Sequence, residues 1–389
     1  MIAFNDITLT EFLNDYWQKK PILLRNALAD FQSPIQPDEL AGLSLEEEVE
    51  SRMVIQHGDQ DYELKRGPFN EEDYAQLPEK DWTLLIQGCD RLLPEIGDLL
   101  NDFDFLPRWR IDDIMISYAT EGGNVGPHFD HYDVFLLQAA GQRHWHLTSQ
   151  DCNEDNYIQG VDLRLMQRFE VEQDFVLEAG DILYLPPKVG HHGIALDNDC
   201  MTFSVGYRSY RGQELWDSLG DHLSEHALFK ELYYDPTMQA QLKPGEVTAQ
   251  AAQQAKQLLV EKLEDPKMMQ TWFARFATQL DQTAATQLPE PLLEEEQASL
   301  EEFVMAVTEE MGLIKDPVCR YAYTQIEDET QLYINGAIWE DFDAPAEFIA
   351  TLANQSFLTQ ELLAQFIEHE GVQKLLYDLW KLQYLTFVE

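Results

Sequence analysis

The strongest constraint on the fold is a stretch between residues 110 and 209 in which short apolar runs alternate with turn residues. The runs are rich in β-branched and aromatic residues and include IDDIMISYA, VFLLQAAG, DILYLPP and MTFSVGYRS. Gly, Pro, Asn and Asp separate them. Many short strands with such punctuation are typical of an all-β sandwich or barrel. Because the chain has 389 residues, we expect further domains around this β region.

The flanking segments predict helices and a second, smaller domain. Residues 7–18 carry apolar residues at helical spacing, and the same spacing returns after about Gly212. Near the C-terminus, helical patterns surround two strand-like pieces, which is the pattern of a winged-helix module. We therefore predict an α+β multidomain chain with a β core domain (1–212), a helical region (213–281), a Pro- and Glu-rich linker (282–297) and a winged-helix-like domain (298–389).

The β region also holds the residues that could bind a metal. Six of the ten histidines lie between residues 128 and 192. His128 and Asp130 are two residues apart, so on a strand they point to the same face. His191 follows 63 residues after His128, in a loop behind the strand DILYLPP. Two imidazoles and one carboxylate form the facial triad of non-haem iron(II) oxygenases, so we predict a metal site here.

Two features leave the choice of ligands open. The segment HFDHYD contains a second pair with the same spacing, His131 and Asp133. In addition, His192 stands directly beside His191. The pattern therefore predicts the chemistry of the site more firmly than it predicts which histidines bind.

A fixed cation is the second requirement of an enzyme that uses 2-oxoglutarate. A guanidinium suits the distal carboxylate because it offers two parallel hydrogen bonds. Arg143 lies thirteen residues after Asp130, whereas the same step from the second pair reaches His146, a poorer clamp. This spacing favours His128 and Asp130 as ligands. The hydroxyls of Thr202 and Ser204 share one face of a later strand, where we expect them to complete the pocket.

These motifs resemble the JmjC-type, cupin-like 2-oxoglutarate oxygenases and, among them, the bacterial ribosomal oxygenases. The resemblance rests on WQKKPILLRNAL, WRIDDIMIS, GPHFDHYDVFLLQAAGQRHWHL, GDILYLPP, and HHGIAL followed by FSVGYR. It implies a double-stranded β-helix (jelly-roll) core that holds Fe(II) through His128, Asp130 and His191. It also implies 2-oxoglutarate and O2 as cosubstrates, with Arg143 and the Thr202–Ser204 strand binding the former.

The resemblance further implies a substrate and partners. That family hydroxylates an arginine β-carbon of a large-subunit ribosomal protein, and it has a helical dimerisation region and a winged helix that does not act on DNA. An arginine needs acceptors, so we expect some of Asp112, Asp113, Ser117 and Tyr118 to bind the guanidinium. The net charge of −45 repels nucleic acid and anionic lipid but attracts a basic ribosomal protein.

Composition also bears on compartment and on rival functions. Four scattered cysteines without a CxxC pair, and an N-terminus without a signal-peptide pattern, predict a cytoplasmic protein. No run approaches the ~18 apolar residues of a membrane span, so we expect no membrane association. Three alternatives stay open: a cupin metalloenzyme that does not use 2-oxoglutarate, an acidic scaffold that binds basic proteins, and a JmjC lysine demethylase. Arg143 argues against the cupin that does not use 2-oxoglutarate. A lysine demethylase has to recognise methyl-lysine, and the sequence shows no clear aromatic cage for it.

Overall fold

The computed structural model describes residues 2–58, 60–236, 243–309 and 312–388. The chain divides into two compact units, residues 1–209 and 210–389. The four-segment division predicted from the sequence is finer than this, and its internal boundaries stay a prediction.

The first unit is mainly β-structure. Its α-helices are α1 (Leu9–Glu11), α2 (Pro37–Leu43), α3 (Glu71–Ala75), α4 (Cys89–Leu92) and α5 (Pro94–Gly97). Its strands are β1 (Ile22–Leu24), β2 (Ser51–Gly58), β3 (Asp61–Arg66), β4 (Trp82–Ile86), β5 (Ile111–Ala119), β6 (His128–Phe129), β7 (Asp133–Ala140), β8 (Arg143–Thr148), β9 (Gln173–Leu177), β10 (Ile182–Leu185), β11 (Gly190–Ala195) and β12 (Cys200–Tyr207). Short 3-10 helices cover Asp98–Phe103, Arg108–Arg110 and Glu154–Asn156.

These strands form two antiparallel sheets. The larger has the order β1-β10-β7-β12-β5-β4-β2-β3 and the smaller the order β6-β11-β8-β9. Apart from the hairpin β8–β9, consecutive strands from β5 to β12 belong to opposite sheets, which is the winding of a double-stranded β-helix. Apolar residues of both sheets pack between the layers, among them Val134, Leu136 and Leu183 from the large sheet and Trp145 and Leu147 from the small one. The predicted jelly-roll core is therefore confirmed.

A second core covers the other face of the large sheet. The N-terminal segment, predicted as one helix over 7–18, is α-helical only at α1 and continues as a π-helix over Phe12–Tyr16. The amide of Trp17 bonds back to the carbonyl of Phe12, which closes this wider turn. The turn seats Phe12 edge-on against Tyr184, with the ring centroids 5.1 Å apart. The wider turn thus goes together with aromatic packing on the sheet.

The second unit combines helices with two small sheets. Its helices are α6 (Gly212–Glu225), α7 (Ala249–Leu263), α8 (Pro266–Thr278), α9 (Gln282–Thr286), α10 (Leu300–Glu309), α11 (Ala346–Asn354), α12 (Gln360–Leu363) and α13 (Glu370–Lys381). Its strands are β13 (Gly312–Lys315), β14 (Tyr321–Ile326), β15 (Glu329–Ile334), β16 (Ala337–Trp339), β17 (Phe357–Thr359) and β18 (Leu385–Phe387). The sheet orders are β17-β13-β18 and β14-β15-β16.

The C-terminal part of this unit has the predicted helices around a β-hairpin, β14–β15, with one difference. The sequence predicts a single helix over residues 358–380, but the structure has β17, α12 and α13 there. The side chain of His369 accepts a hydrogen bond from the amide of Gly371 and caps a new helix, α13. Among the described residues, no helix combines the length and apolar character that crossing a bilayer requires.

Candidate functional site

Strand pairing brings the three predicted metal ligands together. His128 on β6 lies opposite His191 on β11, and their ring centroids are 4.2 Å apart. Asp130 follows β6, with its Oδ2 3.6 Å from Nε2 of His191. The ligand atoms of all three side chains lie within 4.8 Å of one another, so one cation fits between them. Within the described residues, no other group of His, Cys, Asp or Glu meets this criterion.

The local backbone differs from the prediction at two of these positions. Strand β6 is only two residues long, so Asp130 lies just beyond it rather than on it. His191 was predicted in a loop but lies on β11, because Lys188, at a φ of 64°, turns the chain back soon after Pro187.

Hydrogen bonds set the protonation of both imidazoles. Nδ1 of His128 lies 2.9 Å from the carbonyl oxygen of Gly126, and Nδ1 of His191 lies 3.0 Å from that of Val189. A carbonyl only accepts, so each Nδ1 carries the proton and each Nε2 keeps its lone pair for a metal. Burial lowers the pKa of His191 to about 4, which keeps this imidazole neutral near pH 7.

The rival ligands are engaged elsewhere. Asp133 accepts hydrogen bonds from the hydroxyl of Tyr184 at 2.6 Å and from the side-chain Nε2 of Gln18 at 3.0 Å. His192 follows His191 on β11, so its side chain points to the opposite face of the sheet. The structure therefore favours His128, Asp130 and His191 as the candidate ligands.

Arg143 lies on the inner face of the small sheet, where it is only 3% exposed. Its Nε donates to Sγ of Cys200 at 3.3 Å, but its Nη2 has no hydrogen-bond partner among the described residues. A buried donor without a partner is costly, so this atom is a candidate contact for an anionic ligand. Arg143 pairs with Ala195, four residues along β11 from His191, which is about 13 Å of strand. The gap suits a dicarboxylate held at both ends.

The predicted hydroxyls line the same interior. Thr202 on β12 is buried and its Oγ1 donates to the amide oxygen of Gln138 at 3.1 Å. Ser204 lies two residues further along the same face. Sequence reasoning missed Gln138 and Cys200, although Gln138 carries a visible signal. It is a lone uncharged polar residue in the buried strand DVFLLQAA, where an amide must have a functional or hydrogen-bonding reason.

Two of the four proposed guanidinium acceptors face this interior. Asp113 and Ser117 lie on β5, on the face shared with Thr202 of the neighbouring strand. Asp113 accepts hydrogen bonds from Nε2 of Gln87 at 2.7 Å and from the amide of Gly88 at 2.9 Å. Burial, reinforced by nearby carboxylates, raises the pKa of Asp113 to about 7.

The other two acceptors are placed differently. Asp112 is exposed and pairs with Nε of Arg208 at 2.9 Å. Tyr118 faces the second core, where it packs edge-on against Trp82, and its hydroxyl donates to the carbonyl of Asn198 at 2.9 Å. Tyr118 is therefore not brought together with the metal candidates. The reason is strand alternation, which turns residues 112 and 118 away from residues 113 and 117.

Sequence reasoning also missed two side chains near Asp113. Arg52 on β2 donates from Nη2 to Oε1 of Gln87 at 2.8 Å. Tyr132 lies beside the candidate ligand Asp130, whose carboxylate raises the pKa of the Tyr132 hydroxyl. Nothing in the sequence around Arg52 indicates a role, since β2 is remote from the β region that carries the motifs. Tyr132 stands within the HFDHYD segment and could have been found there.

Comparisons with known proteins agree with this geometry. Residues 98–215 match the JmjC domain family, and residues 261–386 match the ROXA-like winged helix family. The chain is 38% identical over 281 residues to the ribosomal protein uL16 3-hydroxylase of Escherichia coli, covering 72% of this chain and 74% of that protein. It is 35% identical to a probable ribosomal oxygenase of Haemophilus influenzae, over 86% and 82% of the two chains.

Solved structures give the same result. The crystal structure of E. coli YcfD aligns with a TM-score of 0.86 at 33% identity and covers 98% of this chain and 99% of that one. A structure of YcfD, described as a ribosomal oxygenase in complex with cobalt and 2-oxoglutarate, aligns with a TM-score of 0.83 at 32% identity, over 99% of each chain.

Proposed function

Because this chain belongs to the ribosomal oxygenases that join a JmjC domain to a ROXA-like winged helix, we propose that it is an Fe(II)- and 2-oxoglutarate-dependent ribosomal protein hydroxylase. The observation that carries this proposal is the pairing of the His128–Asp130–His191 cluster with the buried guanidinium of Arg143, whose Nη2 has no hydrogen-bond partner among the described residues. A cupin that does not use a dicarboxylate has no need of that cation, and a scaffold has no need of the cluster.

The donor set fits iron(II) and 2-oxoglutarate. His128, Asp130 and His191 would hold the metal on one side, which leaves the other side for cosubstrate and oxygen. Arg143 would bind the distal carboxylate through the Nη2 that lacks a partner, and the buried Thr202 faces the same interior. When bound, the metal and cosubstrate supply the chemistry in which 2-oxoglutarate and O2 give succinate, CO2 and one hydroxylated substrate carbon. The protein's own residues position the reactants and exclude water.

Side chains on the interior face beside the cluster suit an arginine side chain. Asp113 and Ser117 provide acceptors, and Tyr132 adds an aromatic surface next to Asp130. A bound guanidinium would favour the ionised form of Asp113 and form a charge-assisted hydrogen bond with it. The E. coli relative is named a 3-hydroxylase of ribosomal protein uL16. We therefore propose the β-carbon of an arginine in a large-subunit ribosomal protein as the target.

Mass spectrometry of ribosomal proteins tests this function. Intact masses are compared between cells with the gene, a deletion strain, and deletion strains that carry Asp130→Ala or the exposed-surface control Asp155→Ala. One large-subunit protein should lose the mass of one oxygen atom in the deletion and Asp130→Ala strains but not in the control. Fragmentation should place the oxygen on an arginine. Unchanged masses in all strains would refute the ribosomal substrate. Hydroxylation by the purified protein without added 2-oxoglutarate would favour a cupin enzyme that does not use this cosubstrate.

Charge supports a basic substrate and argues against nucleic acid. The whole chain carries −45, and its last 92 residues hold 17 acidic against 4 basic residues. A winged helix of this charge repels phosphates, so its role is contact with protein rather than DNA. A ribosomal substrate places the reaction in the cytoplasm. Retention of labelled duplex DNA by the purified protein at physiological salt would contradict this part of the proposal.

Self-association is supported by an apolar groove of about 470 Å³ on helices α6 and α7. Trp216 and Leu259 line it and are 57% and 42% exposed. Exposed apolar surface of this kind marks an interaction site, and a second copy of the chain is the occupant we propose. Light scattering should report a dimer for the wild type and a monomer for Trp216→Glu. The exposed-residue control Val171→Glu, on the first unit, should stay dimeric, whereas a dimeric Trp216→Glu would refute the assignment.

A further inference from the structure

We infer that Asn124 is a positioning residue that sets His128 for metal binding through the backbone of Gly126. This inference rests on the proposed function, since it assumes that His128 is a metal ligand. Asn124 belongs to the loop between β5 and β6, outside the candidate ligand set, and it is only 1% exposed.

The amide of Asn124 is fully engaged. Its Oδ1 accepts from the amide of Gly126 at 2.9 Å, from the hydroxyl of Tyr62 at 3.0 Å, and contacts Nε2 of His192 at 3.1 Å. Its Nδ2 donates to Oε1 of Gln56 at 2.7 Å and to the carbonyl of Gly122 at 2.9 Å. A buried network in which every atom is satisfied holds its members in one arrangement.

The backbone partners fix the orientation of this amide. The amide of Gly126 can only donate, so it must face Oδ1, and the carbonyl of Gly122 can only accept, so it must face Nδ2. Because Nε2 of His192 contacts the same Oδ1, it must carry a proton and act as a donor. His192 is therefore a hydrogen-bond partner of the loop, which gives this second histidine a role distinct from metal binding.

Gly126 transmits this restraint to His128. Its amide is held by Asn124, and its carbonyl accepts the hydrogen bond from Nδ1 of His128 at 2.9 Å. Gly126 has a φ of +77°, and a Cβ there would lie 2.5 Å from Leu165, so a residue with a side chain does not fit at this position. The next carbonyl, that of Pro127, is held by the amide of Met166 at 2.8 Å. The partner that orients a ligand imidazole is itself fixed on both sides.

A purely structural role for Asn124 makes a different prediction from a positioning role. Loss of a structural amide lowers stability but leaves the metal affinity of the folded protein unchanged. Loss of a positioning amide frees the Gly126 carbonyl and weakens metal binding in protein that is still folded. Metal affinity and thermal stability therefore have to be measured on the same variants.

The experiment is a titration of full-length apoprotein with Mn(II), read by calorimetry and alongside melting curves. Asn124→Leu removes every hydrogen bond of the amide, and we expect Mn(II) binding about 10- to 100-fold weaker. Asn124→Asp keeps the acceptor for the amide of Gly126 but sets a carboxylate oxygen against the carbonyl of Gly122. We therefore expect Asn124→Asp to lower the melting temperature but to keep more Mn(II) affinity than Asn124→Leu.

The matched control is Asn70→Ala. The side-chain oxygen of Asn70 also accepts backbone hydrogen bonds, from Glu72 and Asp73, but these cap helix α3. Its loss should lower the melting temperature and leave Mn(II) affinity unchanged. The inference about Asn124 would be overturned if folded Asn124→Leu bound Mn(II) with wild-type affinity, or if Asn124→Asp bound Mn(II) as weakly as Asn124→Leu. Neither result would affect the proposed function. A wild-type protein that binds Mn(II) but hydroxylates nothing would instead overturn the proposed function.

Discussion

Because Nη2 of Arg143 has no partner among the described residues, Arg143→Met should affect stability and 2-oxoglutarate binding differently. The substitution keeps an unbranched but shorter side chain next to Trp145 and removes the charge and all donors. Without 2-oxoglutarate the variant loses the hydrogen bond from Nε to Sγ of Cys200, whereas Nη2 has no partner among the described residues, so the loss of stability is limited to that bond. With 2-oxoglutarate bound, the variant lacks the group that would hold the distal carboxylate.

The magnitude follows from one charge-assisted hydrogen bond. Such a bond contributes ~1.5–3 kcal/mol, so the Kd for 2-oxoglutarate should rise about 10- to 150-fold. At a concentration one hundred times the wild-type Kd, ligand stabilises the wild type by about 2.7 kcal/mol. A variant with hundredfold weaker binding gains only about 0.4 kcal/mol at that concentration. The ligand-induced rise in melting temperature should therefore almost disappear.

The assay is thermal melting of the Mn(II)-loaded protein with and without 2-oxoglutarate, together with the KM for 2-oxoglutarate from succinate release. Arg25→Met is the matched control, because Arg25 forms a surface ion pair with Asp181 at 2.6 Å and is 56% exposed. It should leave the ligand-induced shift unchanged. An Arg143→Met variant with the wild-type KM and melting shift would refute the role of this guanidinium.

Three further results are expected. His128→Ala should abolish measurable Mn(II) binding in calorimetry, because two ligands cannot replace the triad; wild-type affinity would exclude the cluster as the metal site. Since the folded pKa of Asp113 is raised to about 7 from 3.8, its contribution to the free energy of unfolding should fall as pH rises from about 4 to 7, and Asp113→Asn should remove this contribution from the pH dependence seen in denaturation curves. Equal slopes would contradict the buried carboxyl. Gly193→Ala should lower stability by about 1–3 kcal/mol, because its Cβ would lie 2.6 Å from the ring of Trp145; an unchanged melting temperature would show that the ring can move.

Much of the candidate site could be predicted from short stretches of the sequence. The identities and spacing of His128, Asp130 and Arg143 follow from chemistry that needs two imidazoles, a carboxylate and a guanidinium. The β character of the region follows from short apolar runs between turn residues, and both sheets confirm it. These features are readable because they depend on residue type and on neighbours a few positions away.

Other features of the site depend on contacts between distant segments. The sequence could not decide between His191 and His192, because the choice depends on which face of β11 meets β6 and β8. For the same reason Tyr118 was grouped with Asp113 although it faces the other core. The sequence shows which residues of a strand share a face, but register and sheet packing decide which of the two faces points to the interior.

The amino-acid sequence by itself determined the kind of chemistry, the β architecture of the core and the candidate metal ligands apart from the choice between His191 and His192. Only the tertiary structure decided the surroundings of those ligands, including the Asn124 network, the interior placement of Gln138 and the raised pKa of Asp113. Hydrogen-bond partners and burial arise from strands far apart in the chain, such as β2 and β5. These partners and this burial therefore act on a side chain only in the folded protein, where the two sheets pack together.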